Sequence, residues 1–192
     1  MSYKNQSDLY LEDNISKYPA IELLCKLGFE YISPEDCMAQ RGTLYDVLLK
    51  DILRKQLNAI NQFEFGGIIY KFTADNVEKA LKDLDEPLTD GLVRTSEKIY
   101  NALMLGKSYL EKLADDTSKS FNLKYIDWEH PENNVYHVTE EFSCDSWDKQ
   151  KNARPDIVLF VNGIPFAVIE CKAPTISEDQ AVEQMIRNQG KD

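Results

Sequence analysis

Three ionisable residues, Asp156, Glu170 and Lys172, flank the most hydrophobic stretch of this chain. Two carboxylates offer hard oxygen ligands of the kind that suit Mg²⁺, which keeps several waters while accepting one or two carboxylates and phosphate oxygens. A lysine two residues beyond the second carboxylate can hold an attacking water or stabilise charge that builds on a phosphoryl group. The chemistry such a set supports is metal-assisted hydrolysis of a phosphodiester, and it needs no histidine or cysteine nucleophile. The backbone carbonyl of Cys171, between Glu170 and Lys172, offers a further oxygen ligand, whereas its thiol is expected in the core.

The intervening residues must bring these groups together. Ile157-Val158-Leu159-Phe160-Val161 is apolar at every position, so both faces of this strand should be covered and it should run inside a sheet. Asn162-Gly163 turns the chain, and Ile164 to Ile169 returns as a second apolar strand. A two-residue turn in strict register would set Asp156 opposite Ile169, facing away from Glu170 and Lys172. A three-residue loop, Val161-Asn162-Gly163 with Gly163 left-handed, sets Asp156 opposite Val168 and puts all three ionisable groups on one face. The carboxylates are then diagonal neighbours roughly 7 Å apart at the backbone, and this loop is the expectation. A lone Glu-x-Lys at a strand end is commonly an exposed ion pair; Pro155-Asp156 and the apolar hairpin between give it meaning.

Helical spacing predicts helices over about Ala20 to Leu27, closed by Gly28, over Leu44 to Ile60, and over about Ser96 to Leu113. Asp75-Asn76-Val77-Glu78 has the form of a capping box, followed by a stripe of Val77, Ala80, Leu81 and Leu84, with Pro87 closing that helix. Beyond Ser120, Phe121 to Trp128, Val135 to Phe142 and the two hairpin strands are expected in one sheet, with Asp145 to Asn152 a loop. Ser177-Glu178-Asp179-Gln180 supplies a second capping box, starting a last helix. The order expected is helices, then one sheet, then a helix, an α/β fold class. A single domain over residues 1–192 is the simplest division, helical to about 118, then the sheet and its following helix over about 119–192.

A formal net charge of -11 argues against a broad basic surface that grips nucleic acid, so any hold on DNA is expected to need a partner or further chain. No apolar run approaches the ~20 residues of a membrane span, and no segment marks the chain for export, so a cytoplasmic location without membrane contact is expected. Cys25, Cys37, Cys144 and Cys171 lack C-x-x-C spacing, and His130 and His137 complete no zinc set, which predicts reduced, mostly buried thiols.

Arg154-Pro155-Asp156, Asn162-Gly163-Ile164-Pro165 and Ile169-Glu170-Cys171-Lys172-Ala173-Pro174 together resemble the nuclease motif of type I restriction-enzyme motor subunits, within the PD-(D/E)xK nuclease superfamily. The similarity extends through Ala20 to Tyr31, Arg41 to Asn61 and Phe121 to Trp128. The resemblance implies a restriction-endonuclease-like α/β fold, a mixed sheet flanked by helices, in which Asp156 and Glu170 bind Mg²⁺, with Mn²⁺ as a substitute, and Lys172 assists hydrolysis. It also implies a Gln-x-x-x-Tyr motif on the next helix. Gln184 fits its first position, but Asn188 stands where the tyrosine would be. Gln184 is a further candidate, also readable as an ordinary polar helix position, and Glu22 on the first helix ranks behind it, since acidic residues on exposed helix faces are usually just solvated. Such motor subunits are much longer and carry helicase-like ATPase domains. With no G-x-x-x-x-G-K-[ST] loop here, the chain is expected to be an N-terminal fragment, with ATP used by the absent part. The substrate implied is double-stranded DNA, delivered with modification and specificity subunits. The alternatives are a nuclease-like docking module with little activity of its own, and a free-standing repair nuclease or junction resolvase.

Overall fold

The computed structural model describes residues 13–85, 91–145 and 152–172. The chain falls into two compact units, one of Met1–Val47, Tyr136–Phe160 and Pro165–Asp192, the other of Leu48–Val135 with Val161–Ile164.

The first unit is built on a mixed four-stranded sheet. The short edge strand β1 (Glu30–Tyr31) runs parallel to β6 (Tyr136–Glu140), pairing Glu30 with His137 and Tyr31 with Val138. β6 lies beside β9 (Ile157–Val161), which in turn neighbours β10 (Ile164–Ile169) across the hairpin turn. β9 is therefore an inner strand, as its unbroken apolar run requires. Helix α1 (Tyr18–Lys26) has proline in its first turn, where no N–H is needed, and Gly28 (φ 103) follows its end. Its Ile21, Ala20 and Leu24 pack with Val138, Ile157, Leu159, Ile169 and Cys171. A helix without a sequence forecast, α2 (Pro34–Arg41), starts from Ser33, whose hydroxyl accepts the Asp36 N–H at 3.1 Å. The polar stretch expected as a loop has paired ends, with β7 (Cys144–Asp145) antiparallel to β8 (Asn152–Ala153).

In the second unit, α3 (Lys50–Ile60) starts six residues later than helical spacing suggests. Leu48 and Leu49 are buried, and the Leu49 N–H donates to the Gly163 carbonyl (2.8 Å), a bond that replaces helical pairing. The hairpin of β2 (Phe63–Phe65) and β3 (Ile68–Tyr70), turning on Gly66 and Gly67, is another element without a forecast. Helix α4 (Ala74–Leu84) is capped by Thr73 instead of Asp75, the Thr73 hydroxyl accepting the Asn76 N–H at 3.4 Å. Glu78, which the capping-box reading assigned to the cap, pairs with Arg54. Pro87 lies outside the described residues.

The helix predicted over Ser96 to Leu113 is corrected by Gly106. Helix α5 (Leu92–Leu105) stops there, and the chain continues as β4 (Lys107–Lys112), antiparallel to β5 (Ser118–Leu123). Tyr109 and Glu111 point inward at alternate positions, which overrides the helical spacing of Leu103 and Leu110. The single expected sheet is corrected too, since among the described residues β5 pairs with β4 alone and 124–128 are irregular. Leu53, Leu57, Val77, Ala80, Leu81, Tyr109, Leu123 and Tyr125 form this unit's core.

A polar loop follows β5. The Asp127 carboxylate accepts from the Asn133 amide (3.0 Å), the His130 N–H (3.3 Å) and Lys124 (3.5 Å). The Asn133 bond, helped by the His130 N–H and the Lys124 charge, holds its carboxyl below the ordinary value despite burial. The unfolded chain therefore takes up this proton first as pH falls. The stabilisation is full at neutral pH and is lost below the ordinary carboxylate range. Asp127→Asn is expected to lose less stability than wild type between pH 7 and about pH 3. Parallel urea-midpoint profiles for the two proteins would contradict this.

No helix among the described residues is long and apolar enough to cross a membrane. None of the four cysteines is joined in a disulfide among the described residues, and the expectation of mostly buried thiols holds for Cys37 and Cys171, while Cys144 is half-buried and Cys25 exposed.

Candidate active site at the open end of the hairpin

The turn joining β9 and β10 is shorter than expected. Only Asn162 and Gly163 separate the strands, and both are left-handed, with φ of 55 and 80. This is the type I′ sign pattern for which Asn-Gly is the preferred pair. The expected three-residue loop is thus corrected, yet Asp156 is not turned away. β9 begins at Ile157 and β10 ends at Ile169, so Asp156, Glu170 and Lys172 lie just beyond the regular strands, where register no longer dictates direction.

Two hydrogen bonds place Asp156. Its carbonyl accepts the Glu141 N–H at 3.0 Å, and its carboxylate Oδ2 accepts the Cys171 N–H at 2.8 Å. The carboxylate is therefore fixed on the backbone between Glu170 and Lys172. The Cys171 side chain is buried and packs with Ile21, Val138 and Ile157, while its two neighbours are half-buried. Burial of the middle residue pins a segment whose flanking side chains carry charge.

The donors here are hard oxygens. Among the described residues no three His, Cys, Asp or Glu side chains gather as a metal cage. A pair of carboxylates completed by water and phosphate oxygens suits Mg²⁺, which dehydrates reluctantly. Gln184 and Asn188 lie outside the described residues. Glu22 is on an exposed turn of α1, where Lys26 binds its carboxylate at 2.6 Å; that hydrogen bond and the Lys26 charge lower its pKa. The structure gives Glu22 a surface ion pair and no hydrogen bond to Asp156.

Other residues, among them Lys17, Glu140 and Glu141, surround Asp156 without having been singled out in the sequence. Glu141 has an unusual left-handed backbone (φ 48) and bridges two cations, with Oε1 at 3.0 Å from Lys17 and Oε2 at 3.0 Å from Arg154. Lys17 is buried and also reaches Glu140 at 3.4 Å. Tyr31 donates to Glu140 (3.0 Å), and partial burial together with that carboxylate pushes its hydroxyl up to about 12. At the other end of the hairpin, Asn162 is fully buried. Its amide donates to the Tyr125 carbonyl (2.9 Å) and Asn134 Oδ1 (2.8 Å), and its Oδ1 accepts the Val135 N–H (2.9 Å). The sequence announced a turn residue at Asn162; its burial depends on contacts distant in the chain.

Fold and site together define a mixed α/β protein carrying an Asp and Glu-x-Lys set at the open end of the β9–β10 hairpin. The chain belongs to the family described as the type I restriction enzyme R protein N terminus, whose profile matches residues 9–192. It is 29% identical over 169 residues to a provisionally named type I restriction enzyme MjaIXP endonuclease subunit of Methanocaldococcus jannaschii, covering 85% of this chain and 15% of that protein. It is 25% identical over 169 residues to the type I restriction enzyme HindI endonuclease subunit of Haemophilus influenzae, again covering 85% of this chain and 15% of the relative. The chain thus spans 15% of the length of these relatives.

Proposed function

We propose that this region is the Mg²⁺-dependent nuclease module of a type I restriction enzyme, built on a PD-(D/E)xK fold and hydrolysing phosphodiester bonds of double-stranded DNA without sequence choice of its own. The observation that carries this reading is the Asp156 carboxylate bonded to the Cys171 N–H, which sets it between Glu170 and Lys172. Asp156 and Glu170 would hold the cation, with the Cys171 carbonyl as a further oxygen donor. A bound Mg²⁺ supplies a water of lowered pKa and charge neutralisation at the phosphate. Lys172 orients that water or stabilises the charge developing on the phosphoryl oxygens.

Translocation driven by ATP is assigned to helicase-like motor domains elsewhere in the subunit, and choice of sequence to separate modification and specificity subunits, all in the cytoplasm. The net charge of -11 supports delivery of DNA by such partners. The same charge favours a second reading, a docking module with little cleavage of its own. Calorimetric titration with Mg²⁺ or Mn²⁺ separates the two. A nuclease module is expected to bind the cation in a way that Glu170→Gln abolishes, whereas binding unchanged by that substitution, or none in the wild type, supports docking alone.

A further inference from the structure

We infer that Arg154 is a DNA phosphate-binding residue of the same site, held ready by Glu141 while DNA is absent. The inference rests on the nuclease reading above. Arg154 precedes Asp156 by two residues, and its side chain is 62% exposed. Its partner Glu141 is joined to the site through the backbone, since the Glu141 N–H donates to the Asp156 carbonyl at 3.0 Å. Arg154 therefore stands where the chain leads into the candidate cation-binding carboxylate.

The two ion pairs on Glu141 are unequal. Lys17 is 5% exposed, lies between Glu140 and Glu141, and cannot turn outward without leaving both carboxylates. The Arg154 pair is solvated on both sides, with Glu141 41% exposed, and such pairs contribute little to stability. If Arg154 swings away, Glu141 keeps Lys17, so no buried charge is stranded. The planar guanidinium fork then meets phosphate oxygens in the bidentate geometry for which arginine is suited. Glu141 occupies the guanidinium as a carboxylate stand-in and sets a threshold that a phosphate must exceed. On a chain of net charge -11, an exposed cation at the mouth of the site matters to the local field.

The test is duplex binding by the complete subunit with its partner subunits, followed by fluorescence anisotropy across a salt series in an Asp156→Asn background that blocks cleavage. Arg154→Ala is expected to weaken binding several-fold for any sequence and to lower the slope of log K against log salt by about one. Arg154→Lys should restore the slope. Glu141→Gln should tighten binding only when Arg154 is present, a coupling that a double-mutant cycle isolates. Arg154→Ala with unchanged affinity and slope, or Glu141→Gln tightening binding equally without Arg154, overturns the inference. Failure of the nuclease reading has a different signature: no Mg²⁺-dependent cleavage by the wild-type assembly, whatever Arg154 does to binding.

Discussion

Asp156→Asn and Lys172→Ala are each expected to lower Mg²⁺-dependent DNA cleavage by the assembled enzyme by roughly 10²–10³-fold or more. The amide introduced by Asp156→Asn would keep an oxygen able to accept the Cys171 N–H, the bond that now measures 2.8 Å, so the hairpin should retain its shape. What the site loses is the negative charge that a hard cation requires. Lys172→Ala removes a cation from a half-buried position whose backbone is pinned by buried Cys171, so local structure should again survive. Plasmid cleavage under single-turnover conditions, with ATP hydrolysis followed in the same samples, provides the measurement. Cleavage by either variant within a few-fold of wild type, with ATP hydrolysis intact, would sink the assignment.

The largest stability effect should come from the other end of the hairpin. Asn162→Ala leaves the Val135 N–H and the Tyr125 carbonyl without the Asn162 side chain as partner, while Asn134 Oδ1 keeps the Asp127 N–H at 2.9 Å. Each orphaned group costs about 1–3 kcal/mol, and because the two belong to one network the total should be about 2–4 kcal/mol. Position 162 is also left-handed at φ 55, a conformation that asparagine tolerates better than alanine. Asn162→Gly should therefore recover part of the loss, about 1 kcal/mol, by removing strain without restoring any hydrogen bond. Urea unfolding at constant slope reads both variants. A loss under about 1 kcal/mol for Asn162→Ala would show that the network contributes far less than its burial implies.

The hairpin was the most legible part of the sequence, because apolar runs bounded by Asn-Gly specify both strands and their turn. Its strands lie where expected, and only the loop length differed. Asn162-Gly163 satisfies a type I′ turn by itself, so no third residue is needed. The demand for a longer loop assumed ladder geometry persisting to Asp156 and Glu170, but both lie past the strand ends. Elsewhere, periodicity failed where a single glycine or a distant contact decided the outcome. Gly106 ends a helix that the leucine spacing would have continued, and Leu49 gives its N–H to Gly163, 114 positions on, instead of to a helix. The Lys17, Glu141 and Arg154 cluster could not be read at all. Its members are 124 and 13 residues apart in sequence and meet only through tertiary packing.

Cys171 gives the site and the hydrophobic core a common member. Its side chain belongs to the cluster around Ile21, Val138 and Ile157, and its N–H holds the Asp156 carboxylate. The position of the Asp156 carboxylate therefore depends on how tightly that cluster is packed. A substitution that loosens the packing by a fraction of an ångström can leave a folded protein in which the Cys171 N–H no longer holds the Asp156 carboxylate in place. On the nuclease reading, activity should thus decay earlier than structure under heat or mild denaturant, and conservative changes at Ile21 or Val138, which carry no ionisable group, should act as silent attenuators of cleavage.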